Sequence, residues 1–404
     1  MRVLVIGAGA AGTTAAIFAA RAGADTVLLE RTRDGGRKIL ISGGGRCNVL
    51  PIALDESRFV TDSSPNLLRK MLRSWPLAEQ VRFFEEDLGI PLVEEHESGK
   101  RFPASHKARD VRDGLLAHAR SHGVDTRFDT RVTSLDANDA GGWRVGVEDG
   151  ESLVADRVIV ATGGLSVPNT GSDGTGLRLM EALGHVMHPT YAALTPLTAD
   201  APSLAALSGV SLAVSLTAQH PARSATATGG FLFTHRGYSG PSVLDVSHVA
   251  VRSHAEPPAA RVTVRWTALG EAEWEAALRP QAQRTVQGAL RAELPERLAQ
   301  VLVNMAGVDG STSLADLRRD DRKRLIETLV RGELPWSGDE GYRKAEVTGG
   351  GVALSEVDPR TMESRRAPGL YLCGEVLDAF GPIGGYNFCW AWATGRAAGM
   401  GVMR

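Results

Sequence analysis

Gly7-Ala8-Gly9-Ala10-Ala11-Gly12 sets three glycines in a G-x-G-x-x-G run, and an acidic residue, Glu30, follows. Each glycine has a physical task. Gly7 permits a tight turn, Gly9 lets the backbone approach a pyrophosphate, and Gly12 allows close packing of helix on strand. N–H groups at the start of the following helix, around Ala10 and Ala11, combine with the positive end of its dipole to suit a diphosphate. Glu30 can accept hydrogen bonds from both ribose hydroxyls of an adenosine. A carboxylate there repels a 2′-phosphate, which argues against NADP at this site. Arg31 beside it completes the expected cofactor-binding cluster.

These residues need a strand, a turn and a helix to place them. Val3 to Ile6 reads as a short buried strand, Ala10 to Ala22 as a helix closed by Gly23, and Thr26 to Glu30 as the next strand. The unit is βαβ, so the sheet begins parallel. Residues 34–48 read as a polar, glycine-rich loop. Helical patterns follow over Pro65–Gly89, broken at Trp75-Pro76, and over Ala108–His122 and Asp173–Leu183. Strand-like runs cover Thr126–Leu135, Trp143–Val147 and Val158–Ala161. Beyond Pro189 the texture changes. Residues 190–270 carry short alternating runs such as Leu212–Leu216 and Val262–Trp266, whereas 271–333 are helical, with Trp274, Leu278, Leu290, Leu294, Leu298 and Val301 at helical spacing. The expected organisation is a nucleotide-binding domain in two parts (1–189 and 341–404) interrupted by an inserted domain (190–340).

A net charge of −2 gives no global attraction to nucleic acid or to an anionic membrane. The expected partner is therefore a small-molecule substrate, with no nucleic acid and no membrane. Arg21 and Asp25 interrupt the longest apolar run, and Gly7, Gly9 and Gly12 break what would resemble a signal peptide, so a cytoplasmic location is the default. Cys47, Cys373 and Cys389 form no C-x-x-C pair, which gives neither a zinc site nor a dithiol relay any support. No metal is expected.

Two later segments separate FAD from NAD. Val158-Ile159-Val160-Ala161-Thr162-Gly163-Gly164 resembles the second signature of the glutathione-reductase-like FAD fold, and Leu370-Tyr371-Leu372-Cys373-Gly374-Glu375 resembles the third. In that fold the final carboxylate meets the ribityl chain. A longer segment, Gly35-Gly36-Arg37-Lys38-Ile39-Leu40-Ile41-Ser42-Gly43-Gly44-Gly45-Arg46-Cys47-Asn48, resembles the signature of the YhiN/BaiN-like flavoproteins, a family of NAD(P)/FAD-dependent oxidoreductases also termed the aminoacetone oxidase family. Gly99–Pro103, Leu232–Pro241, Glu346–Val352 and Glu375–Asp378 with Gly384–Asn387 agree, so the resemblance spans nearly the whole chain.

The resemblance implies an α/β fold: a glutathione-reductase-like FAD-binding Rossmann domain interrupted by a β-barrel-like insert with a helical lobe. It places FAD against Gly7–Gly12, Glu30, Arg37, Lys38, Gly44, Gly45, Arg46, Cys47, Asn48, Val132, Ala161, Thr162, Gly163, Gly164, Gly374, Glu375, Asp378, Gly385, Tyr386 and Asn387. Ala379–Ile383 and Gly230 depart from the pattern of many relatives, so a relative's substrate is not transferred on resemblance alone. Two residues are candidates for chemistry. Arg46 either stabilises negative charge on reduced flavin or forms a structural ion pair. His235, held before Gly237 and Ser239-Gly240-Pro241, either donates a proton at the flavin face or is hydrogen-bonded within the insert. Cys47, with no partner thiol or adjacent base, is expected to be packed rather than reactive.

The expected function is an oxidoreductase that passes hydride between flavin N5 and a small-molecule carbon; the alternative is a redox-sensing flavoprotein that acts through a partner. RNA modification is disfavoured by the neutral charge and the missing basic, aromatic-interleaved stripe. No second G-x-G-x-x-G domain is present, so NAD(P)H visits the flavin transiently or another donor supplies the electrons.

Overall fold

Five short parallel strands form the central sheet, in the order Leu370–Leu372, Arg157–Val160, Arg2–Ile6, Asp25–Leu29 and Asp125–Arg127. Read from the edge laid down third in the chain, the order is 3-2-1-4-5, and every neighbouring pair is parallel. The direction of winding reverses between the first and fourth strands, which is where such sheets open a crevice for a ligand. The computed structural model describes the chain except residues 139, 140, 149, 151, 202, 203, 205, 281 and 282. Two compact units emerge, one of Met1–Tyr191 with Glu346–Arg404 and the other of Ala192–Ala345.

Val3, Leu4, Val158 and Ile159 are wholly buried, as both-face-covered parallel strands require. One face is covered by the first helix, Ala10–Arg21, against which the C-terminal helix, Tyr386–Gly401, packs. Small residues set how closely they approach: a side chain on Gly395 would overlap the Ala11 carbonyl oxygen, and one on Gly399 the Ala15 carbonyl oxygen. Trp390 and Trp392 fill the remaining sides of the C-terminal helix and are buried.

Two sequence expectations are corrected in this unit. Residues 34–48 are no featureless loop, since Arg37–Ile41 forms a short helix and Ser42–Gly45 a 3₁₀ turn. The glycines flanking that helix had hidden its one turn of periodicity. The run Thr126–Leu135 is not one strand either. Asp129 takes a left-handed φ of 51° and breaks it, so Asp125–Arg127 joins the parallel sheet while Val132–Ala137 opens a separate antiparallel one with Trp143–Val147 and Ser152–Ala155.

The second unit is built on a seven-stranded antiparallel sheet whose longest pair is the hairpin Ser211–His220 with Arg223–Phe233. Phe231, Phe233, Tyr238 and Trp266 form an aromatic core at its centre. The β-rich reading of 190–270 missed the helix Pro241–Ser253, whose Val243, Val246, Val249 and Ala250 are buried at helical spacing behind a proline in its first turn. Among the described residues, four further helices lie between Glu271 and Arg331, and the Arg318–Arg324 charge run is the solvated side of the last one. Among the described residues, no helix is long and apolar enough to cross a membrane.

Candidate functional site

The three glycines of the opening run sit at the reversal point of the sheet. An ideal Cβ on Gly7 would lie 2.6 Å from the Ala161 carbonyl oxygen, and one on Gly12 would overlap the Gly7 carbonyl oxygen. These two are therefore packing glycines, and the first and second signatures touch through them. Gly9 is different: a Cβ there would meet nothing within 4 Å. Its backbone caps a 12-residue helix that has no capping side chain and no acidic residue in its first turn. An open approach to uncapped N–H groups at a helix N-terminus fits a diphosphate.

Glu30 is buried at the end of the second strand. Its carboxylate accepts from Ala8 N at 2.8 Å, Thr32 N at 2.8 Å and Thr32 Oγ1 at 2.7 Å. A carboxylate has about four acceptor positions. Glu30 thus retains capacity for about one ribose hydroxyl, which corrects the expectation of two. Arg31 pairs with Asp173 and donates to the Gly171 carbonyl oxygen.

The segment after the second strand is tied to the glycine turn by a backbone bond, Gly36 N to Ala8 O at 2.8 Å. From there the short helix carries Lys38 inward. Its ammonium donates to Glu375 Oε2 and to Ser166 Oγ, both at 2.7 Å. Glu375 Oε1 accepts from Ser166 Oγ at 2.7 Å and Thr348 N at 2.9 Å. Thr348 Oγ1 in turn accepts from Leu165 N and Ser166 N, closing the turn after Ala161–Gly164. Burial pushes the Glu375 carboxyl up, but the Lys38 charge and these hydrogen bonds outweigh it and hold the group below the usual carboxylate range. Four segments distant in sequence meet in this network. Thr348 lies within the family-like segment Glu346–Val352 and Ser166 two residues beyond Gly164, but neither carries a site role in the sequence reading.

Gly43, Gly44 and Gly45 have φ of 56°, 68° and 85°, so the turn before Arg46 is left-handed and lacks side chains that would screen its backbone. Arg46 donates to Glu95 Oε1 at 3.1 Å and lies 4.1 Å from the Phe102 ring centre, which supports the structural-pair alternative. Cys47 is fully buried, and burial pushes its thiol up to about 12, so it carries no thiolate at neutral pH. Asn48 follows it, half-buried. Arg37 points to Asp34 at 2.6 Å, and Val132 is buried at the start of its antiparallel strand.

Gly374 stands against the first helix, where a Cβ would lie 2.8 Å from the Ala11 Cβ. The third signature and the glycine turn are thereby adjacent. Gly385 starts the C-terminal helix pressed on Leu50. Asn387 clamps the divergent loop, accepting from Gly381 N at 2.9 Å and donating to Gly381 O at 3.0 Å. The Tyr386 hydroxyl donates to Ala53 O at 3.3 Å, with the Arg58 guanidinium over its ring.

Asp378 is an anchor. It is buried, and its Oδ2 accepts from Thr61 Oγ1, Asp62 N, Ser63 N and Ser63 Oγ, all at 2.9 Å. Burial pushes this carboxyl up against the lowering effect of Ser63, Thr61 and His188. Asp378→Ala would take the shared acceptor from the half-buried Thr61 and Ser63 groups and the Asp62 N–H, which water can partly replace, for a net cost of about 1–3 kcal/mol. We expect a thermal midpoint lower by several degrees; an unchanged midpoint in calorimetry would show the loop at 61–63 rearranging freely.

His235 occupies the other unit. It is exposed at the hairpin between Arg223–Phe233 and Gly237–Ser239, where Thr234 N donates to Gly237 O at 2.8 Å. Neighbouring Arg236 pairs with Glu340 at 3.3 Å. Among the described residues, no group of three or more His, Cys, Asp or Glu is arranged to hold a metal.

The chain matches the profile of the HI0933-like protein Rossmann domain over residues 1–401. It belongs to that family. It is accordingly a flavoprotein, an FAD-dependent oxidoreductase. The ribosomal RNA dihydrouridine synthase of Escherichia coli K12 is 34% identical over 98% of this chain and 96% of its own. The 3-dehydro-bile acid delta(4,6)-reductase of Clostridium scindens is 33% identical over 98% of each. Among solved structures, the 3-ketosteroid delta1-dehydrogenase of Sterolibacterium denitrificans superposes with a TM-score of 0.55 at 13% identity, covering 99% of both chains, and shares the fold.

Proposed function

We propose that this flavoprotein reduces a carbon–carbon double bond conjugated to a carbonyl, with NAD(P)H as electron donor. One observation carries the reading: two relatives, each aligned nearly end to end, are named for saturating such a bond. The uridine ring and a 3-oxo steroid share the olefin–carbonyl unit, although nothing else about them is alike. When bound, FAD supplies hydride exchange at N5, the chemistry that the polypeptide lacks. The chain's own groups hold and orient. The Gly9 turn receives the diphosphate, Glu30 a ribose hydroxyl, and the Lys38–Glu375–Ser166–Thr348 network fixes the loops that surround the cofactor. His235 is the proposed proton donor to the substrate.

Anaerobic bleaching of the protein at roughly 450 nm, the flavin band, tests the donor. The bleached protein is then mixed with a uridine-containing oligoribonucleotide, a 4-en-3-one steroid, an unconjugated alkene or an amine. Colour should return with one or both conjugated compounds and with neither of the others. Recovery only in oxygen, or direct bleaching of the oxidised protein by amines, would refute the reading. His235→Ala should slow the return of colour on the order of 10²-fold while leaving bleaching intact, as expected for loss of a general acid; an unchanged rate removes His235 from the mechanism.

A further inference from the structure

The FAD-binding unit carries a cleft of about 700 Å³ lined by Arg69, Lys70, Arg73, Arg360, Arg396 and Arg404, with no carboxylate side chain on its walls. The cations come from the helix Pro65–Leu72 and its end, from the loop after Pro359, and from the last turns of the chain. Arg73 is partly neutralised by Glu56 at 2.8 Å, and Arg396 is held by Ser74 O at 3.1 Å and by the Trp75 ring. Lys70, Arg360 and Arg404 are exposed, and none has an ion-pair partner among the described residues. In a protein of net charge −2, six cations on the walls of one cleft outnumber the one carboxylate ion-paired with them, Glu56, and make a local anion trap.

Position narrows the occupant. Arg396 and Met400 lie toward the far end of the C-terminal helix, whose first residue is Tyr386 beside Gly385. At 1.5 Å per residue this is roughly 15–20 Å along the axis. A compact metabolite in the cleft would sit well away from the start of that helix, whereas a polymer with regularly spaced charges spans the interval. We propose that the cleft binds the phosphate backbone of an RNA strand whose uridine is presented to the FAD site. The proposal rests on the double-bond reductase reading and commits it to a ribonucleotide substrate. It also reverses the sequence-based expectation of no nucleic-acid partner, because these cations are contiguous only after folding.

The test compares the holoprotein with its K70E/R360E/R404E variant, whose flavin absorbance and thermal midpoint report integrity. Binding of a fluorescein-labelled, uridine-containing RNA hairpin is followed by anisotropy across 50–200 mM salt. The variant should bind on the order of 10²-fold more weakly, and its slope of log K against log salt should be shallower by about 2, near 0.7 for each lost contact. Turnover of a 4-en-3-one steroid, if observed, should be unaffected. Equal affinity and slope in both proteins would overturn the proposal. So would displacement of the hairpin by micromolar inorganic pyrophosphate, which marks a free-phosphate site. Loss of binding to phosphatidylglycerol vesicles with RNA binding retained would likewise overturn it, in favour of a membrane surface. A protein that binds RNA through this cleft yet reduces no conjugated bond would refute the reductase reading alone, since anisotropy requires no turnover.

Discussion

A Gly9→Val protein is expected to fold normally and to purify without colour. The backbone at Gly9 has φ of −82°, which any residue adopts, and the added side chain would meet no protein atom within 4 Å. It would instead occupy the approach to the N–H groups that begin the first helix. Losing about two charge-assisted hydrogen bonds, at ~1.5–3 kcal/mol each, weakens FAD binding on the order of 10²- to 10⁴-fold. Gly12→Ala provides the contrast. Its methyl group would overlap the Gly7 carbonyl oxygen, so that substitution should damage the fold as well. The ratio of flavin to protein absorbance, read with the apoprotein's thermal midpoint, separates the two outcomes. A yellow Gly9→Val protein would place the diphosphate elsewhere.

Replacing Lys38 with Met should be the most damaging change outside the glycine turn. It leaves Glu375 with hydrogen bonds but no countercharge. Breaking a buried ion pair costs ~3–5 kcal/mol, and because Lys38 and Glu375 are 28% and 17% exposed we expect the lower end. In a unit of this size that is a fall in thermal midpoint of roughly 6–10 °C. Adding Glu375→Gln should restore much of it. The pH dependence has a definite sign. The folded Glu375 pKa lies below its ordinary value, so the stabilisation is fully present above the unfolded carboxylate pKa of about 4.3 and is lost as pH falls through the folded value. The gap between wild type and Lys38→Met, measured by denaturant unfolding, should be largest at neutral pH and shrink as acid protonates Glu375, first in the variant, where burial without Lys38 raises the carboxyl. A gap that stays constant into strong acid would show that the charge of Glu375 is not what Lys38 serves.

Features encoded by contiguous residues are legible in the sequence alone. The G-x-G-x-x-G run, the first two strands and the helix between them depend on neighbours a few positions apart, and they appear within a residue or two of the expected bounds. Much of what escaped depends on distant segments meeting. Thr348 and Ser166 acquire their role only because the segment 346–404 returns to the first sheet. Asp378 has the look of a cofactor ligand in sequence, yet the donors at 61–63 claim it. The helix Arg37–Ile41 was masked by glycines that favour turns. The basic cleft was invisible because its arginines are spread over three hundred positions, where no compositional window would gather them.

The return of the chain to its first sheet has a consequence for synthesis. A ribosome that has made residues 1–345 has produced four parallel strands but not Leu370–Leu372, so the edge of Arg157–Val160 is left without its neighbour. Glu375 and the helix that packs on Ala11 and Ala15 are also still unmade. The emerging polypeptide therefore holds an open, apolar sheet margin while the second unit forms, the kind of surface that chaperones attend to. Glu375, which Lys38 meets, and Thr348, which bonds to it, are thus made only after the second unit, so the network around the glycine turn cannot close before then.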